Sequence, residues 1–375
     1  MTHMPIKIQS DYANHDFRCT KVVGGGFELT CPSPENLKAF VNCPLEFDLS
    51  KSLDFDKYTL IFFSKKDVKE NEILQIKIKN RSEHKRIGWL FPIQALSSSE
   101  HDYAKDVHFL NYARIGGFKA LNEIDFESHF NLMPVNDDNV GFNDIFHDST
   151  CLLVINKDDV KDFDSDILHA ILPELFCHGY IKLGKNDPSG IKIPNIKSAS
   201  KELKLKPVSS QLQGCGLVGD LLSRMIAFED KSISKFFFCY QIVELLIDNI
   251  YRIEQENIIE SLIESREDSG KAKESIDKLQ DCMREKKRLT LLIEKYTDVK
   301  RDLHSLKNNC NDLLEMLGKG EGNNFQDYFY MIRNFTFHQY RDFPEEGSCL
   351  LNDIADDFLA IMPDLLSSFK NPRME

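Results

Sequence analysis

The sequence predicts an α+β protein: an N-terminal mixed α/β domain followed by a C-terminal all-α helical bundle with a long helical arm. Three observations lead there. Short β-rich runs separated by turns fill the first half. Beyond Gly214 the pattern reads as helix throughout. Between the two lies a lysine-rich stretch punctuated by proline and glycine. At 375 residues, 42% apolar and 29% charged, the chain has the composition of a folded protein with two or three domains.

In the first half, YTLIFF (58–63), EILQIKIK (72–79), IGWLFPIQAL (87–96) and CLLVINK (151–157) have the content, length and flanks of strands. KVVGGGFEL lacks the Lys-Ser/Thr pair of a phosphate loop, and no helical pattern follows it, so it reads as a turn between strands. DILHAILPELFCHG (166–179) reads as a helix, followed by a strand in YIKLG. Residues 1–195 are therefore assigned to a mixed α/β domain with a recognition or regulatory role.

From Tyr180 to Pro207 the chain carries Lys182, Lys185, Lys192, Lys197, Lys201, Lys204 and Lys206 against two acidic residues. In a chain of net charge −13 this is the best local candidate for a strip that contacts RNA phosphates. A solvated lysine-rich linker is the plain alternative, and residues 196–216 are read as a basic linker.

The helical domain is assigned to 217–375. LVGDLLSRMIAFE (217–229) is a short amphipathic helix. ISKFFFCYQIVELLIDNIYRIEQ (233–255) is apolar around most of its circumference, with Gln241, Glu244, Asp248, Arg252 and Gln255 on one polar stripe, and should lie at the centre of a bundle. Residues 253–288 are highly charged and read as exposed helix broken near Asp268-Ser269-Gly270. Leu289, Leu292, Tyr296, Val299, Leu303, Leu306, Cys310, Leu313 and Leu317 then follow a heptad spacing. The region 253–317 is thus expected to be an extended helical insertion. It either pairs two subunits or folds back on its own bundle, and the second is preferred.

No apolar run approaches about 18 residues, so no membrane span is expected. MTHMPIKIQSDY lacks the layout of a secretory signal. The ten cysteines are scattered singly without a C-x-x-C pair, and read as reduced, mostly buried thiols of a cytoplasmic protein. Net negative charge argues against a generic nucleic-acid coat but leaves room for a nuclease with a local basic groove.

Near the C-terminus stands YFYMIRNFTFHQY (328–340). On a helical wheel Phe325, Tyr328, Phe329, Ile332, Phe335 and Thr336 gather on one face. Asp327, Asn334, His338 and Arg341 form the opposite stripe, with Arg333 at its edge. An ordinary surface face would look similar. What adds weight is the position, in the penultimate helix of a bundle whose earlier helix carries Glu244 in an apolar setting.

On these residues the C-terminal part resembles a HEPN domain, the helical module of many bacterial toxin and phage-defence ribonucleases. That family's signature is Arg, a polar residue, and His four to six positions beyond the Arg. It stands here as Arg333, Asn334 and His338 in YMIRNFTFH. FFFCYQIVELL resembles the early helix of bacterial HEPN proteins, with Glu244 as a supporting acidic residue. The resemblance covers roughly residues 217–370 and departs from a compact core through 253–317. It implies a homodimer with two motifs facing each other, an antiviral or toxin–antitoxin role, and control by a trigger or antitoxin protein.

The residues suit that chemistry. RNA supplies its own 2′-hydroxyl nucleophile, His338 can take or give a proton near neutrality, and Arg333 can fork onto phosphate oxygens. Asn334 can orient the imidazole or bond the phosphate. The reaction needs no metal or cofactor. A catalytically silent HEPN adaptor that binds a partner protein is the alternative.

Overall fold

The β-rich runs of the first half pair into two six-stranded sheets. The computed structural model describes residues 6–10, 13–31, 38–80, 83–123, 133–134, 140–161, 167–183, 190–192, 197, 200–299 and 303–372. The architecture is mixed: β-sheets in the N-terminal part and helices in the C-terminal part. Two units emerge, one of Met1–Ile167 with His178–Leu205, the other of Leu168–Cys177 with Lys206–Glu375.

In the first unit, β1 (Ile6–Ser10), β2 (Ala13–Val23), β3 (Gly26–Thr30) and β4 (Lys38–Asn42) form an antiparallel meander. The short strands β8 (Met133–Pro134) and β9 (Val140–Gly141) add parallel edges to it. The triple glycine is the turn between β2 and β3, and Gly25 sits at φ 83°, a region that favours glycine.

The second sheet has the order β11 (Ile181–Lys182), β5 (Tyr58–Ser64), β10 (Thr150–Asn156), β7 (Glu83–Pro92), β6 (Leu74–Asn80), β12 (Glu202–Leu205). Strand β10 is flanked on both sides and buried on both faces, which accounts for its unbroken apolar run. Strand β7 stops at Pro92, earlier than the expected end at residue 96, because proline has no N–H for the ladder; Ile93–Leu96 coil into a 3-10 turn.

Helix α1 (Val107–Ala120) joins the two sheets through one core that also holds Phe27, Phe91, Trp89 and Val154. Its Gly116 meets Phe91 and Val154, and its Gly117 meets Phe27; a Cβ on Gly117 would lie 2.6 Å from the Phe27 ring. A single-turn helix, α2 (Phe142–Ile145), supplies Phe142 to the same core.

Two boundaries differ from expectation. Residues 202–205 lie inside the segment read as a linker, yet they pair in parallel with β6, burying Leu203 and Leu205 while Glu202 and Lys204 face out. Helix α3 (Ile167–Cys177) was placed with the sheets by sequence order. Residues 168–177 instead belong to the helical unit: Ile171, Leu175 and Phe176 are buried, and the Cys177 thiol donates to the Leu359 carbonyl at 3.1 Å.

The helical unit continues through α4 (Cys215–Asp220), which runs on as wider and tighter turns to Phe228, and then α5 (Ser232–Glu264). After it come α6 (Ser269–Cys282), α7 (Glu285–Leu291), α8 (His304–Met316), α9 (Phe325–His338) and α10 (Gly347–Ser367). Helix α5 buries Phe236, Cys239, Tyr240, Val243, Leu246 and Ile250, and packs on α6, α7 and α10. Asp268 caps α6 through the Gly270 and Lys271 amides, at the expected break.

The heptad region is not one arm. Its helix ends at Tyr296, where Thr297 turns extended and bonds the Leu292 carbonyl through its hydroxyl, and α8 starts afresh at His304. A β-branched residue followed by Asp298 stops the helix where the apolar spacing alone would continue it. Leu289, Leu292, Tyr296, Val299, Leu306, Cys310 and Leu313 are buried within the chain's own bundle. Only the end of α5 and α6 keep exposed apolar residues among the described ones of this region, namely Ile259, Ile263, Ile276 and Met283.

Among the described residues no helix is long and apolar enough to cross a membrane. The ten cysteines are free thiols, eight of them buried; Cys349 is exposed and Cys215 half-buried.

Candidate active site

Helix α9 is two-faced as its sequence dictates. Phe325, Tyr328, Phe329, Ile332, Phe335 and Thr336 are its buried residues. Phe329 stacks on Tyr240 of α5 and on Phe358 of α10, and Phe236 of α5 meets it edge-on. This aromatic packing fixes the rotation of α9 and turns Arg333, Asn334 and His338 away from the core.

The three motif residues meet through one nitrogen. Arg333 Nη1 donates to Asn334 Oδ1 at 3.0 Å and lies 3.4 Å from His338 Nε2. A guanidinium has only donors, so the second contact requires an unprotonated Nε2, leaving the imidazole proton on Nδ1. His338 is exposed at the C-terminal end of α9.

Arg333 is less exposed than a rim position implies: its side chain is 18% exposed. Two carboxylates flank it. Glu244 Oε1 stands 3.7 Å from Nη2, and Glu285 Oε1 stands 3.8 Å from Nε. Two aromatic rings cover it, with the guanidinium carbon 5.5 Å from the Tyr240 centroid and 5.1 Å from that of Phe337.

Glu244 is half-buried, its side chain 35% exposed, and accepts from Gln241 Nε2 at 2.8 Å. Of its two expected partners, Arg333 is the one beside it. Arg252 donates to Gln213 Oε1 instead. The Tyr240 hydroxyl donates to Glu285 Oε1 at 2.5 Å. Burial, and then this bond to Glu285, push the Tyr240 phenol well above its ordinary range, so it stays a donor.

Sequence reasoning missed Glu285 and Tyr240. Glu285 sits in the charged string REKKR, where nothing in the spacing distinguishes it, and Tyr240 reads as ordinary core. A cue lies one residue on: Lys286 pairs with Asp327 of α9 at 2.7 Å, which brings the start of α7 against the motif helix.

The lysines do not form one described set. Lys185 lies outside the described residues. In the sheet unit, Lys182 and Lys197 are half-buried and Lys192 and Lys204 exposed, while Lys201 pairs with Asp102 at 3.2 Å. Lys206 belongs to the helical unit and pairs with Asp364 at 2.5 Å.

No protein-family model matches the chain, and neither a curated protein nor a solved structure shows significant similarity to it. Function is therefore argued from the site.

Proposed function

We propose that the helical unit is a metal-independent endoribonuclease of HEPN type, acting as a homodimer in antiviral defence or as a toxin. The observation that carries this reading is the convergence of Asn334 and His338 on Arg333 Nη1, on the solvent side of one helix. Neutral His338 takes the proton of the RNA 2′-hydroxyl. The 2′-oxygen then attacks phosphorus as Arg333 steadies the charge of the phosphorane. The bond from phosphorus to the 5′-oxygen breaks, and that oxygen takes a proton from a second imidazolium, supplied by the second copy. Products carry a 2′,3′-cyclic phosphate and a 5′-hydroxyl.

A second reading, a silent HEPN-type adaptor that binds a partner protein, draws on a specific observation. Glu244 and Glu285 together place two carboxylates against one guanidinium, which works against a polyanion. Incubating wild type, Arg333→Ala and His338→Ala with total RNA in EDTA separates the two. Cleavage by wild type that is lost in both variants supports the ribonuclease, and equal activity in all three overturns it. Folded dimers that leave RNA intact favour the adaptor.

A further inference from the structure

We propose that Glu285, braced by Tyr240, is a positioning residue for Arg333, setting the plane of its guanidinium so that Nη1 faces His338. The inference rests on the ribonuclease reading for its consequence in rate, but its geometry stands apart from it.

A free arginine side chain rotates about several bonds, and a fork offered to phosphate works only when aimed. Here the Nε edge is buried and makes no hydrogen bond, with Glu285 Oε1 at ion-pair distance, 3.8 Å. That oxygen also receives the Tyr240 hydroxyl at 2.5 Å. The carboxylate is thus held from α5 while it faces α9. Tyr240 and Phe337 then limit the tilt of the guanidinium through their ring faces.

The support is itself anchored. Glu285 lies in the first turn of α7, where a negative charge suits the helix dipole. Its neighbour Lys286 bonds Asp327, six residues before Arg333 on α9. With Nε turned to Glu285 and Nη2 to Glu244, Nη1 is the nitrogen left for Asn334 and His338. Removing Glu285 keeps the positive charge at the site but frees its direction. A misplacement of about 1 Å costs on the order of a hundredfold in rate, whereas a charge that merely attracts RNA tolerates it.

The test uses the full chain in two measurements. In the first, protein labelled with 15N-arginine is followed by NMR, the Arg333 Nε–H signal being assigned by its loss in Arg333→Lys. Slow solvent exchange in wild type, about tenfold or more faster in Glu285→Ala, is expected once the charge partner of a buried N–H is removed. In the second, a defined RNA is cleaved in EDTA. Glu285→Ala and Tyr240→Phe should lower kcat by about 10–100-fold while KM stays within about threefold, and Glu285→Gln, which still accepts from Tyr240, should recover part of the loss.

Exchange unchanged in Glu285→Ala overturns the proposal. So does a variant that keeps the wild-type kcat, or one whose loss lies in KM alone. If wild type cleaves no RNA, the ribonuclease reading fails while the exchange rates still decide the positioning. Thermal melts of each variant identify any that fail to fold, and Tyr240→Phe, which removes one oxygen, stands in for those.

Discussion

Lys235 of α5 is buried, and its ammonium reaches Asp356 of α10 at 2.6 Å, with Asn352 Oδ1 at 2.9 Å as a second acceptor. Asn352 in turn donates to the other oxygen of Asp356. A charge in the wall of the bundle is thereby matched and bonded. Asp356→Ala removes the counter-charge and leaves the ammonium stranded. The expected loss is about 2–4 kcal/mol, read as a lower urea midpoint at unchanged slope. Lys235→Met, which fills the same volume without charge, should cost less than Asp356→Ala; the reverse order would contradict this account.

Arg333→Lys tests whether charge alone suffices. Lysine keeps the charge but loses the planar fork and the stacking between Tyr240 and Phe337. We expect RNA binding within a few-fold of wild type and kcat lower by at least about a hundredfold, since the lost contact belongs to the transition state. Equal kcat would reduce Arg333 to an electrostatic role.

A site shared by two histidines makes an inactive subunit harmful. Mixing wild type with an excess of His338→Ala under conditions that exchange subunits should lower total cleavage, because mixed dimers hold one imidazole where the reaction uses two. Activity that stays equal to the wild-type content of the mixture would show that each chain works alone.

Two thiols of the sheet unit set an alkaline limit. Burial pushes Cys19 and Cys43 up from an ordinary value near 9.0 to about 12. An unfolded chain ionises them from about pH 9, while the folded chain holds them neutral. Their stabilisation is therefore complete below pH 9 and is lost as pH rises towards 12. Melting midpoints under reducing conditions should fall between pH 8 and pH 10.5, and fall less in Cys19→Ala/Cys43→Ala. An equal fall would assign the alkaline limit to other groups.

What the sequence made legible follows from periodicity. The buried face of α9 is read residue for residue from the 3.6-residue repeat, and the strands β5, β6, β7 and β10 from content and flanks. The break at Thr297 was not legible, because apolar spacing continues across it and says nothing of backbone conformation. Nor was β12, whose four residues gain their strand character by pairing with β6, far earlier in the chain. Glu285 escaped for the same reason. Its partners Tyr240 and Arg333 lie on two other helices, and no local pattern announces an encounter of three segments.

The membership of α3 in the helical unit bears on how this protein can be taken apart. A fragment begun at Lys206 would contain α5, α7 and α9, every residue of the candidate site included, and would still be an incomplete body. It would lack Ile171, Leu175 and Phe176, and the carbonyl of Leu359 would lose the Cys177 thiol. Between residues 177 and 206 the chain leaves to finish the second sheet and returns. One polypeptide thus threads both units twice, and neither can be excised, swapped or inherited by a single cut in the gene.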